Sequence, residues 1–437
     1  MASAIIKPLA LFSDTIKHTE ISLISEDIPK KPIKRLISLF KTVEDTRLEG
    51  KIFYPLYEIL MIAFFAILSG AGTWTDIEDF AKIKAKWLRR FMPLKNGTPS
   101  HDTFRRVFAL INPEHLQEVT TTFLIDNMKL IRRAFNIKAD GLHQYCVDGK
   151  EARGTGRDPC CGKGEIRNLQ TLHVYDLSNA VCLVSKAIDT KTNEIPTAQE
   201  VLRTLQLKNV IVSFDAMNTQ RDTISVIVEQ KGDYIGALKG NQESLFEEAE
   251  SYFTSKRLRQ IKEKKQTYYE TREKAHNCIE TRQYYLTRNI DWFYDKEAWK
   301  KLRSFICYIK TIENIHTGKV TTEKRYYISS LVDVETCADA IRGHWSIENH
   351  LHWHLDVNFN EDANMTTDKN AFQNYSLMNK LALSLTKLAS KVLKKSVRRT
   401  RNITGWDIDV TVKILCAFDE DILTKALMGV RRHFNSD

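Results

Sequence analysis

Two aspartates and one glutamate stand where a metal-dependent site would need them. Asp148 follows the apolar run Tyr145-Cys146-Val147, and Asp215 follows Val210-Ile211-Val212-Ser213-Phe214. In open α/β sheets ligands collect beyond strand ends, so a carboxylate there lies at the rim of a candidate site. Taken singly, an Asp at a strand end more often merely caps a turn. Glu348 adds a different signal. It lies in a long helical stretch, about 334–356, whose apolar stripe includes Cys337, Ile341, Trp345, Leu351 and Leu355. Helical steps from Trp345 place Glu348 within that face. The spacing therefore predicts a buried carboxylate, which costs several kcal/mol unless a basic partner or a metal compensates. Three carboxylates gathered from two strand ends and a helix repel one another, and hard divalent cations relieve that repulsion with an all-oxygen donor set. Two ions about 4 Å apart can activate a water or a 3′-hydroxyl and stabilise the leaving oxygen. Phosphodiester cleavage and strand transfer require that chemistry.

Other motifs divide into those that fail and those that stay open. The segment GKEARGTGRDPCCGKGEIR, from Gly149, mixes glycines with Lys150, Arg153, Arg157 and Lys163. Gly156 to Gly162 is one residue too long for a P-loop, and Gly164 stands where Ser or Thr should be, which excludes nucleotide hydrolysis by that motif. Phosphate-backbone contact and a solvated loop both remain. His344, His350, His352 and His354 suggest zinc, but no HExxH accompanies them, and zinc is set aside. The basic run Lys387, Lys391, Lys394, Lys395, Arg398, Arg399 and Arg401 is dense enough for a DNA contact surface, or is a solvated helix face.

These residues need a scaffold. Residues 1–30 show no firm periodicity and read as a loose tail. A helical N-terminal domain is expected over 31–135, with apolar residues at three- and four-residue spacing. Within it NGTPSHDTFRRVFALI offers Ser100 as an N-cap before an amphipathic helix carrying Arg105 and Arg106. That unit is a helix-turn-helix reader or an ordinary helical hairpin. From Gln144 the period changes. QYCVDG, LQTLHVYDL and AVCLVSKAI read as three strands, followed by a helix over 196–207, the strand NVIVSF, the helix TISVIVEQKG and the strand DYIGALKG. The order implies an α/β fold with a mixed sheet covered by helices. Residues 140–375 form the expected catalytic domain, interrupted at about 245–330 by a strand-rich insertion with a charged helix. Residues 376–437 form a basic helical C-terminal segment.

Composition sets the partner class. The chain has 437 residues, with 65 Lys and Arg against 55 Asp and Glu, a formal net charge of +10. That excess favours anionic partners, nucleic acid first and an anionic membrane surface second. The apolar run Ile59 to Leu68 is too short to span a membrane and reads as a buried helix. The start MASAIIKPLALF lacks the pattern of a signal peptide, and the eight cysteines include no C-x-x-C. The expected protein is soluble and cytoplasmic, with reduced thiols.

From roughly Asp45 to Trp406 the chain resembles a bacterial insertion-sequence transposase of the DDE class, in the ISAs-type branch with the H-repeat-associated proteins. The resemblance rests on ordered blocks: YPLYEILMIAFFAILSGAGTW, NGTPSHDTFRRVF, VDGKEARG, TNEIP, FDAMNTQ, DYIGALKGNQ and RGHWSIENHLHWHLDVNFNED. It implies a ribonuclease H-like core with Asp148, Asp215 and Glu348 as catalytic and metal-holding residues. It implies two Mg²⁺ or Mn²⁺ as cofactors, transposon ends and target DNA as partners, and a homodimer or higher homo-oligomer on DNA, nucleoid-associated when bound. Lys239, Asn241 and Gln242 are similar to family residues near the active site. The wider IS-four group carries a Tyr-Arg-Glu-Lys signature around the glutamate. Here the other three positions hold Ile341, His344 and Leu355, so those DNA-positioning roles do not carry over. His344 and His352, one turn either side of Glu348, are candidate substitutes. A nuclease that cuts without joining and a domesticated, non-catalytic DNA-binding protein are the competing readings.

Overall fold

The computed structural model describes residues 31–134, 143–157, 166–188, 193–275, 277–392 and 395–411. The expected tail at 1–30, Lys163, Lys394 and residues 412–437 lie outside the described residues.

The N-terminal part is helical: α1 (Lys31–Phe40), α2 (Leu56–Leu68), α3 (Trp74–Ile83), the single turn α4 (Ala85–Leu88), α5 (His101–Leu110) and α6 (Pro113–Ala134). Helix α2 is apolar on every side except for the buried Glu58, and Ile59 to Leu68 are fully buried. An all-round apolar helix is stable only when surrounded. Among the described residues no helix is long and apolar enough to cross a membrane. A capping box opens α3, with Thr73 and Asp76 bonding each other's backbone. Ser100 caps α5 as its sequence predicts, accepting from Thr103 N. The apolar face of α5 (Phe104, Val107, Phe108) is buried, while Arg105 and Arg106 stay exposed.

The sheet follows as β1 (His143–Ala152), β2 (Leu169–Asp176), β3 (Val181–Ile188), α7 (Glu194–Thr204), β4 (Val210–Phe214), α8 (Arg221–Glu229) and β5 (Asp233–Leu238). Next come α9 (Glu243–Tyr252), α10 (Ser255–Lys262), β6 (Tyr268–Ala275), β7 (Cys278–Thr287), β8 (Ser304–Asn314) and β9 (Val320–Ser329). All nine strands form one sheet in the order β3-β2-β1-β4-β5-β9-β8-β7-β6. Strand β1 is antiparallel to β2 and parallel to β4, and β5 is parallel to β4. The antiparallel β5–β9 pair makes residues 245–330 a continuation of this sheet. Strand β6 has no counterpart in the sequence reading. Its sequence YYETREKA is charge-rich because it forms the sheet's edge, where charges discourage pairing with other chains.

The chain closes with α11 (Val334–His344), a π turn (Glu348–His352), α12 (Trp353–Phe359), α13 (Lys369–Val392) and α14 (Val397–Trp406). Helix α13 packs on α2, α5, α6 and β3. It shares one apolar core with the N-terminal helices, so the two ends of the described chain clamp one face of the sheet. One cation of the basic C-terminal run is held internally. Arg401 donates to Ile67 O, Ala71 O and Asn358 O and lies over the Phe359 ring, fixing α14 to α2 and α12.

Candidate active site

Strand register builds the first half of the site. The parallel β1–β4 ladder ends at Val147 opposite Phe214, so Asp148 and Asp215 are the next residues on adjacent strands. Neighbouring strands run about 4.8 Å apart, and laterally paired side chains leave the sheet on the same face. β1 continues past Asp148 because its other neighbour β2 pairs through Ala152; only β4 stops. Asp148 therefore lies beside a strand end rather than at its own.

A close approach builds the second half. Helix α11 lies on β1 at Gly343, where a Cβ would collide with the Gln144 side chain. Cys146 Sγ reaches Gly343 O at 3.4 Å, and Gln144 donates to both Ser213 Oγ (2.9 Å) and Ala340 O (2.8 Å). This aims the chain after α11 across the strand ends and delivers Glu348. The expected stripe buries Cys337, Ile341, Leu351 and Leu355 but not its middle. Trp345 is 43% exposed, and Glu348 lies on the surface side of the helix. The π turn shifts the helical phase by a residue, so the buried face passes through Ile347, Leu351 and Leu355. Glu348 and His352 then share one side, with His352 Nδ1 at 3.1 Å from Glu348 Oε2 and 3.7 Å from Asp148 Oδ2. Donor atoms of Asp148, Glu348 and His352 all lie within 4.8 Å of one another.

The electrostatics suit a cation. Burial, with Asp215 and Glu348 nearby, pushes the Asp148 carboxyl up to about 6. The His352 hydrogen bond instead holds Glu348 below the usual glutamate range. His352 Nε2 lies 3.0 Å from Nδ1 of the buried His173, which faces Asp148 across β1–β2. Burial depresses His173 well below an ordinary histidine. The oxygen donors and their mutual repulsion fit a hard divalent ion, with His352 a nitrogen donor or a brace for Glu348.

The other predicted contacts separate clearly. Lys150 is buried, with Nζ 2.6 Å from Asp356 and 3.1 Å from Asp362. It ties β1 to α12 and its exit as an internal brace. Arg157 donates to Gly154 O and Met365 O at 2.7 Å each. Arg153 is 81% exposed and Lys239 is exposed. Asn241 and Gln242 donate to Ala216 O and Thr219 O, each at 2.7 Å, and so hold the loop after Asp215. His344 Nδ1 lies 3.2 Å from Ser213 Oγ, and burial lowers its pKa to about 4. Arg398 and Arg399 are exposed and Lys395 partly so.

Three residues near the carboxylates escaped the sequence reading: His173, Glu194 and Asn218. Glu194 precedes the expected helix start at 196, but α7 begins at Glu194, capped by Asn193. An Asn N-cap two residues before the Ile-Pro pair was the available signal.

Comparison with known proteins gives the family. Residues 142–385 match the family model described as "Transposase DDE domain", and residues 37–124 match the one described as "DDE_Tnp_1-associated". The chain belongs to the bacterial DDE transposase family. It is 32% identical over 392 residues to "Putative transposase YncI" of Escherichia coli O157:H7, covering 89% of this chain and 96% of that protein. It is 30% identical to "H repeat-associated putative transposase YhhI" of Escherichia coli K12, covering 88% and 98%. These relatives place it in the H-repeat-associated branch. A 36% match over 77 residues to "Inactive transposase YbfQ" covers 18% of this chain and 92% of that one. A cryo-EM structure of a piggyBac transposase synaptic complex with hairpin DNA aligns over 93% of this chain and 84% of its own, at TM-score 0.37 and 11% identity. At that score the likeness says nothing further about this fold. Membership in the family implies use of a divalent metal.

Proposed function

We propose that this transposase-family chain binds the ends of an insertion sequence and catalyses metal-dependent strand cleavage and strand transfer. Asp148, Asp215 and Glu348 would hold two Mg²⁺ or Mn²⁺. The observation that carries the reading is the juxtaposition of Asp148 and Asp215 by parallel register, with Glu348 and His352 brought over Asp148 by the π turn. Bound divalent ions supply activation of the attacking water or 3′-hydroxyl and stabilisation of the leaving oxygen. The chain's own residues set the geometry. Asn218 fixes one Asp215 oxygen through its backbone N–H at 3.1 Å, and His352 fixes Glu348.

The strand order 3-2-1-4-5, with its parallel β1–β4–β5 half, supports a ribonuclease H-like core, which β6–β9 extend and the terminal helices cover. A cytoplasmic protein acting as a homodimer or larger oligomer on paired element ends fits this role. Incubating the purified chain with duplexes from the DNA flanking its gene, Mg²⁺ and a supercoiled target should yield element-end nicks and end-to-target joined products. Nicks without joined products would leave a nuclease. Binding with neither product would leave a non-catalytic DNA-binding protein.

The exposed basic residues before and within α14 make a second expectation. Replacing Lys395, Arg398 and Arg399 with Gln, while sparing the internal Arg401, should flatten the dependence of log K on log salt. Each lost phosphate contact on duplex DNA is worth about 0.9, so three give roughly 2.7. Specific and random sequence should weaken together, since phosphates carry no sequence information. A slope unchanged within error, from binding titrations at several salt concentrations, removes this surface from the DNA interface.

A further inference from the structure

A fourth carboxylate lies at the strand ends, opposite in origin to Glu348. Glu194 opens α7, which crosses from β3 to β4, and its side chain rests against β1 beside Asp148. The contact exists because residue 149 is glycine: a Cβ there would collide with the Glu194 carboxylate. Gly149 N in turn donates to Asp148 Oδ1 at 3.0 Å. On the other side Asn218 links Glu194 to the second aspartate. Its Nδ2 donates to Glu194 Oε1 at 2.6 Å and lies 3.3 Å from Asp215 Oδ1, so the two carboxylates flank a single amide. Asn218 is fully buried, and its Oδ1 has no hydrogen-bond partner.

Charge balance is the second observation. Among the described residues no Lys, Arg or His forms an ion pair with Glu194, and the charges it feels most are those of Asp215 and Asp148, both of its own sign. Other carboxylates around the site do have partners: Glu348 has His352, and Asp356 and Asp362 have Lys150. A partly buried anion beside two more anions, with one buried amide as its sole fixed donor, lacks the cation that would balance it.

We propose that Glu194 is a fourth carboxylate of the metal centre, supplying an oxygen to the divalent cation held between Asp148 and Asp215. This rests on the metal-dependent reading above. It divides the donors into two groups that share Asp148: Glu348 and His352 on one side, Asp215 and Glu194 on the other. Gly149 then serves the site by leaving room for the Glu194 carboxylate. Asn218 is a positioning residue that orients both members of the second group.

Mn²⁺ binding to the full chain without DNA, followed calorimetrically at pH 7, tests the assignment. Glu194→Gln keeps the shape and the acceptor facing Asn218 while removing the charge. It should weaken binding of one Mn²⁺ by about tenfold or more, or abolish it, without lowering the melting temperature in EDTA. Gly149→Ala, which keeps Glu194 but displaces it, should reproduce the loss, and it decides the matter if Glu194→Gln does not fold. Wild-type affinity and stoichiometry in either folded variant, alongside a clear loss in Asp148→Asn, would overturn the assignment and leave the transposase reading intact. No Mn²⁺ binding by the wild type, with none lost in Asp148→Asn, would overturn both.

Discussion

Converting Asp148, Asp215 or Glu348 to its amide should lower element-end cleavage by about a thousandfold or more, equivalent to roughly 4 kcal/mol of barrier. Each change preserves shape and hydrogen-bonding reach while removing the charge that a cation requires. The structure orders the three. Asp148→Asn should be the most severe, because Asp148 neighbours both Asp215 on the adjacent strand and the Glu348–His352 pair. Glu348→Gln should be the cleanest, since an exposed side chain contributes little to the fold. Binding of element ends without metal should survive in all three, or tighten slightly as a negative charge near phosphate disappears. Single-turnover cleavage and gel-shift titrations on the same preparations separate the two effects. Near-normal cleavage by all three variants would show that the chemistry resides elsewhere.

Stripping divalent ions should have an effect of comparable size. Cleavage should vanish in EDTA and return with Mg²⁺ or Mn²⁺, because the site places carboxylates side by side and, among the described residues, no Lys or Arg forms an ion pair with Asp148. Ca²⁺ should support end binding with little or no cutting, as its looser coordination positions the reacting oxygens poorly. Lys150, the closest candidate for a built-in counter-charge, is committed to Asp356 and Asp362 and does not replace a metal. Undiminished cleavage in EDTA would rule out the two-metal mechanism.

Several features were legible in the sequence because they depend on local physics. Alternation and β-branched runs marked β1 to β5 and the three inner strands that follow. The apolar run of α2 announced its burial, and Ser100 announced the start of α5. The positions of Asp148 and Asp215 were legible for the same reason: each follows an apolar strand that must be buried, so each emerges at the sheet's rim. Glu348 was recognised through a helical stripe, of which the fold buries Cys337, Ile341, Leu351 and Leu355 but leaves Trp345 and Glu348 exposed. The π turn lies between α11, which packs on β1, β4 and β5, and α12, which packs on α13 and α14, so its place is set by tertiary packing.

The remaining decisions were tertiary. The sequence by itself determined most of the strands and helices, that Asp215 follows the end of its strand, and that the chain carries excess positive charge. Only the fold determined which charges are used up. Lys150 and Arg401 read identically to Arg153 and Arg398 in the sequence, yet the first two are enclosed by partners more than two hundred residues away and the others face solvent. The same holds for Glu194. Its neighbours along the chain mark it only as the first residue of a helix; the missing Cβ of Gly149 and the amide of Asn218 bring it to the aspartates. Strand propensity and burial are set by neighbouring residues, whereas Coulomb and hydrogen-bond partners are set by proximity in space, which only the folded chain defines.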